Sequence, residues 1–240
     1  MSSQFLIADI PVELRHNPRR RTRIAVDIDP AGHVVLDAPS STSQAEAEAI
    51  VQQHARWLRV RLNRVKEETA HLRPMGYGPG EVVLYLGEPL RLEHHAADDV
   101  VAGDGVLRVP FANEQDTRKR VRDWYRGEAD VVFGEVLQSF AELPWLLGRL
   151  PTWRHRFMKS QWGSCSAKGT ISLNTHLVRT PVRLIEYVAL HELCHLKHHN
   201  HSRRFHALMA MHMPDADVRG KELRRNLSLL LDETSPRHTT

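Results

Sequence analysis

Apolar positions along the chain recur sometimes at every second residue and sometimes at every third or fourth, and each change of period marks an element. From Phe5 to Ala38 the pattern is one of short strands: Ile10 to Leu14, then Thr22 to Asp29 alternating at period two. A turn at Pro30-Ala31-Gly32 leads into His33 to Leu36 and predicts a hairpin. Ser43 is a predicted N-cap, after which Ala47, Ile50, Val51, His54, Trp57, Leu58 and Leu62 recur at helical spacing. That long helix is expected to reach the seventies and to break at Pro74-Met75-Gly76-Tyr77-Gly78-Pro79-Gly80. Strands resume at Val82 to Leu86, Leu90 to His94 and Val106 to Val109, separated by Gly87-Glu88-Pro89 and Gly103-Asp104-Gly105. A second long helix runs from about Asn113 to about Leu143, with Val121, Trp124, Tyr125, Val132 and Val136 on one side. Leu150 to Lys159 and Thr170 to Leu177 are predicted strands joined by a loop from Trp162 to Gly169. Thr180 and Pro181, as N-cap and first-turn proline, open a helix carrying Leu184, Ile185, Val188 and Ala189 to about His198.

The order of elements predicts an α+β fold. A strand-rich part with a long helix takes residues 1–112, a second part takes 113–232, and 233–240 forms a disordered tail. Over 240 residues the 41% hydrophobic content is enough for a buried core. No stretch approaches the roughly 20 apolar residues of a membrane span, and Met1-Ser2-Ser3-Gln4 lacks the order of a secretory signal. A soluble, cytoplasmic protein is therefore expected, with no membrane partner. Cys165 and Cys194 are too few for a disulfide framework and suit a reducing compartment. The net charge of +4, with runs at Arg19, Arg20, Arg21 and Arg23 and at Arg118, Lys119, Arg120 and Arg122, permits a nucleic acid or nucleotide partner. Aromatic residues are not interleaved with those runs as a single-strand-binding surface requires. Oligomeric state is not legible.

The chemistry lies in His191-Glu192-Leu193-Cys194-His195. Histidines four apart on a helix stand about 40° apart around its axis and one turn along it, so both imidazoles can face one metal ion. Glu192 follows the first histidine directly, which sets its carboxylate beside the ion, where it can take a proton from a metal-bound water. Zinc acidifies such a water toward about pH 7 and polarises a carbonyl, so hydrolysis needs no covalent enzyme intermediate. Ile171 to Asn174, just before the helix, is expected to form a sheet edge able to hold an extended peptide.

A catalytic zinc takes a third protein ligand and leaves a fourth position open. His201, ten residues after His191, has the metzincin spacing, although His198 stands where that pattern has glycine. Asn200 is expected to make the turn by adopting left-handed backbone angles, and Ser202 to cap a following helix. Two rivals remain: Glu222 as a third ligand, and a His195 with His199 pair, which would set Leu196 where a base should stand. Cys194, Met209, Met211 and Met213 are expected to pack in the core.

Trp162-Gly163-Ser164-Cys165, Ile171-Ser172-Leu173-Asn174, Tyr187-Val188, His191 to His195 and Asn200-His201-Ser202-Arg203-Arg204-Phe205 resemble, in order and spacing, the YgjP-like zinc metallopeptidases. More distantly the chain resembles the SprT-type proteases that act on DNA-bound proteins. The resemblance is strong from about Thr152 to Leu208. It implies a zincin-like fold whose active-site helix packs beside a small sheet, and a bacterial cytoplasmic setting. It also implies one zinc ion on His191, His195 and His201, with Glu192 as base and a polypeptide as substrate. Two positions depart from the family: Gln161 replaces a basic residue and His206 a tryptophan. Trp162, Ser164, Asn174, Arg204 and His206 are candidates for contacting substrate. Alternatives are hydrolysis of a nucleotide phosphoanhydride, to which Arg154, Arg156, Lys159, Arg203 and Arg204 would suit, or a nucleic-acid-associated protease or binding module.

Overall fold

A computed structural model of the chain describes residues 2–7, 9–18, 22, 24–28, 34–69, 76–226 and 229–230. The chain forms two compact units, residues 1–73 with 230–240, and residues 74–229.

In the first unit, β1 (Ser2–Ile7), β2 (Ile10–His16), β3 (Ala25–Ile28) and β4 (Val34–Ala38) form one sheet in the order β1-β2-β4-β3. The predicted hairpin is the antiparallel pair β3 and β4, while β2 lies parallel to β4. The period of two sends Ile10, Val12 and Leu14 to one face, and Val34, Leu36 and Ala38 join them there. Helix α1 (Gln44–Thr69) contributes Ala47, Val51, Leu58 and Leu62 to the same core. Its start is a capping box: the Glu46 N–H donates to Ser43 Oγ at 3.3 Å and the Ser43 N–H donates to the Glu46 carboxylate at 2.8 Å. Trp57, predicted on the apolar stripe, stands one position off it and is half exposed. The predicted turn at 30–32, the continuation of this helix past 69 and the tail at 233–240 lie outside the described residues.

The second unit opens with β5 (Val82–Tyr85), β6 (Glu88–His95), β7 (Val101–Gly103) and β8 (Val106–Pro110), in the order β5-β6-β8-β7. Strand β7 is three residues long, too short to show an alternation in the sequence. Helix α2 (Glu114–Ser139) begins where the Asn113 side chain accepts the Asp116 N–H at 2.9 Å. It buries Thr117, Val121, Tyr125, Ala129, Phe133 and Leu137, a ladder at every fourth residue. The domain boundary expected after 112 is not where the units divide, because Val83, Leu90, Leu92, Leu107 and Val109 of β5 to β8 share one core with α2 and with Leu184 to Cys194.

A second sheet follows, in the order β10-β11-β9, from β9 (Trp153–Arg156), β10 (Gly163–Cys165) and β11 (Ile171–Asn174). The segment predicted as a plain loop contains β10, which pairs antiparallel with β11, while β9 runs parallel to it. Strand β11 is therefore central and fully buried, not the edge expected of it; among the described residues, β10 has β11 as its one neighbour. A 3₁₀ turn, Thr175–Arg179, replaces the end of the predicted second strand. Helix α3 (Val182–His195) then begins after Pro181. Thr180 does not cap it: its hydroxyl donates to the Leu177 carbonyl at 2.8 Å, closing the preceding turn. Helices α4 (Arg203–His212) and α5 (Ala216–Arg225) pack on α3 and complete an α+β fold in which a buried helix lies beside a small mixed sheet.

Candidate metal centre

Helix α3 buries Leu184, Ile185, Val188, Ala189, Leu190, Leu193 and Cys194, which leaves His191 and His195 on its one partly open face. The helix ends at His195, three residues before the predicted end. Residues 196–200 turn back, and the His198 carbonyl meets His195 Nδ1 at 3.0 Å, so Nε2 of His195 is the atom left for other work. Asn200 does not take the left-handed conformation expected of it. His201 follows the turn, and Ser202 stands at the N-cap position of α4 without a side-chain capping bond.

The turn brings His201 onto α3. Donor nitrogens of His191, His195 and His201 lie within 4.8 Å of one another, and the two Nε2 atoms of His191 and His201 face each other at 2.9 Å. Beneath them the Phe205 ring lies 4.8, 4.7 and 4.9 Å from the three imidazoles and forms an apolar floor. Burial and the neighbouring His195, His201 and His206 push the pKa of His191 down to about 3; burial, His195 and His206 lower that of His201. Imidazole nitrogens grouped in this way are a donor set that could hold a divalent cation such as zinc. Among the described residues the group has three members, which is the number of protein ligands that catalytic zinc sites use. The rivals fall elsewhere. Glu222 is ion-paired with Arg183, and His198 and His199 are not part of the group.

Glu192, next to His191 on α3, packs against Gly163 of β10. It is 5% exposed, its Oε2 has no hydrogen-bond partner among the described residues, and burial pushes its pKa up to about 8. The approach is possible because residue 163 is glycine: a Cβ there would lie 2.6 Å from Glu192 Oε1 and 2.9 Å from Val188 Cγ1. Read as part of a loop, Gly163 gave no sign in the sequence of this close approach.

The other candidates differ in role. Trp162 is half-buried against the core with its Nε1 enclosed and unpartnered, and Ser164 is half-exposed on β10. Asn174 is fully buried: its side chain bonds the Met158 N–H and carbonyl, the Gln161 carbonyl and the His176 N–H, tying down the chain before β10 rather than facing a ligand. Arg204 and His206 are exposed on α4, with the His206 ring 6.4 Å from that of His201. Cys194, Met209 and Met213 are core residues as expected, whereas Met211 is exposed. Trp145, which nothing in the pattern singled out, donates from Nε1 to the Leu193 carbonyl at 3.1 Å and secures the end of α3.

An α+β fold that brings helix-borne His191 and His195 together with His201 presents a group able to hold a metal ion. More narrowly, the chain belongs to the YgjP-like metallopeptidase domain family, whose model matches residues 22–226. No curated protein matches the chain. Among solved structures, the crystal structure of the metallopeptidase zymogen of Methanocaldococcus jannaschii jannalysin is similar at 24% identity and a TM-score of 0.33, covering 41% of this chain and 95% of that one. No helix among the described residues is long and apolar enough to cross a membrane.

Proposed function

We propose that this chain is a zinc-dependent peptidase in which His191, His195 and His201 hold one zinc ion and Glu192 is the general base. The observation that carries it is the buried, unpartnered carboxylate oxygen of Glu192 one residue from a three-imidazole group. When bound, zinc supplies Lewis acidity to the scissile carbonyl and lowers the pKa of a water toward about 7. Glu192 Oε2, lacking any other partner, accepts the proton of the attacking water and returns it to the leaving amine. Strand β10 offers its free edge to an extended polypeptide, which would align by backbone hydrogen bonds beside Glu192. The free thiols Cys165 and Cys194 suit a reducing, cytoplasmic setting.

The test uses zinc-loaded protein and its Glu192→Gln variant on an unfolded protein substrate, with and without chelator. Turnover that falls about 100-fold or more in the variant, at unchanged zinc content, supports the proposal. Full activity in the variant, or in chelator, overturns it.

A further inference from the structure

We infer that the cleft bounded by α3, α4 and α5 is the subsite that selects substrate, and that it takes a carboxylate, from an acidic side chain or a chain end, near the scissile bond. The inference rests on the His191 group being a peptidase centre. The cleft has a volume of about 550 Å³, in the range of small-ligand pockets and ample for one or two side chains. Its wall includes His191, so it opens directly beside the three imidazoles, and His206 stands at the same junction. Met209 and Ala216 give it an apolar stem.

The charge of the far wall sets the ligand class. Arg183 and Arg219 nearby are neutralised, the first by Glu222 and the second by Glu186 and Asp215 at 2.6 and 2.8 Å. Lys221 and Arg224 line the cleft on the same helix, α5, and neither forms an ion pair with a described residue. Asp217 also lines it, which leaves two cations against one carboxylate. The Tyr187 hydroxyl adds a donor. It stands where a Cβ on Gly220 would come within 2.7 Å, so the missing side chain at 220 is what lets the phenol into this space. Two free cations and a phenol at the end of an apolar stem match an apolar-stemmed anion, and a carboxylate is the one a polypeptide carries.

The probes are acetyl-Ala-Ala-Glu-Ala-Ala-amide, its Gln counterpart, and acetyl-Ala-Ala-Gln with a free carboxyl end. Their dissociation constants are measured on zinc-loaded Glu192→Gln protein, with and without Lys221→Glu and Arg224→Glu. One carboxylate-bearing probe should bind at least about tenfold more tightly than the amidated Gln peptide, with the gap lost on charge reversal. Tighter binding of the first identifies a side chain, and of the third a chain end. Should charge reversal prevent folding, Lys221→Gln with Arg224→Gln brings the probes to parity instead. Equal binding of all three to the protein with Lys221 and Arg224 intact overturns the inference. Turnover of unfolded protein by wild type is scored separately: cleavage with no charge preference removes the subsite alone, and selective binding with no cleavage removes the peptidase reading alone.

Discussion

Gly163 of β10 and Glu192 of α3 are in such close approach that a methyl group on the glycine would lie 2.6 Å from the carboxylate oxygen. The absence of one side chain is thus what lets the Glu192 carboxylate pack against β10.

Gly163→Ala should displace Glu192 without touching the three histidines. The expected outcome is a loss of hydrolysis of about 100-fold, since small misplacements of a catalytic group have effects of that size, with zinc content unchanged. Turnover assays alongside metal analysis check it, and near-normal turnover would show that the carboxylate accommodates the methyl.

Removing His201 separates the metal from the fold. His201 is exposed, so His201→Ala should change the stability of metal-free protein by no more than about 0.5 kcal/mol. Zinc affinity should fall about 100-fold or more in competition with a chromophoric chelator. Wild-type protein should gain about 2.7 kcal/mol at a zinc concentration a hundred times its dissociation constant, and the variant far less at that concentration. Equal zinc affinity in the two proteins would place the ion elsewhere.

The Glu192 carboxyl has its pKa raised by burial to about 8 from an ordinary value of 4.5. Between those values the folded, metal-free protein holds a proton that the unfolded chain has released, so stability falls as pH rises through this window. Glu192→Gln removes the effect. Melting temperatures of the two metal-free proteins should coincide most closely near pH 4.5 and diverge in favour of the variant toward pH 8; parallel curves would refute the burial cost.

His176 behaves in the opposite sense. It is 1% exposed, and burial together with Arg179, Arg122 and Arg118 lowers its pKa to about 2 from 6.5. Below about pH 6.5 the unfolded chain takes up a proton that the folded protein refuses, so this residue weakens the fold as pH falls from 6.5 toward 2. His176→Gln should flatten the acid limb of a pH against melting-temperature curve, though it lowers the plateau. An unchanged acid limb would assign acid sensitivity to other groups.

Helices and hairpins were legible wherever the signal is local. The Ser43 N-cap, the start of α2 near Asn113 and the shared side of Val121, Tyr125, Val132 and Val136 are properties of neighbours in the chain, and the structure contains all of them. Strands β7 and β10, three residues each, were not legible, because a strand of that length is stabilised by its partner rather than by its own pattern. The exchange of roles between β10 and β11 has the same origin: which strand is central depends on the parallel pairing of β9, contributed from fifteen or more residues away.

The spacing of His191, Glu192 and His195 is set by helical geometry, so the pair of imidazoles and the adjacent carboxylate follow from the order of residues alone. Spacing singled out His201, but neither its meeting with His191 and His195 while Glu222 stays away nor the burial of Glu192 against Gly163 could follow from the order of residues. The first depends on how the chain turns after residue 195 and on an Arg183 to Glu222 ion pair across two helices, the second on packing α3 against β10. The cleft with Lys221 and Arg224 arises in the same way, because residues from three helices become neighbours only when the core they share has closed.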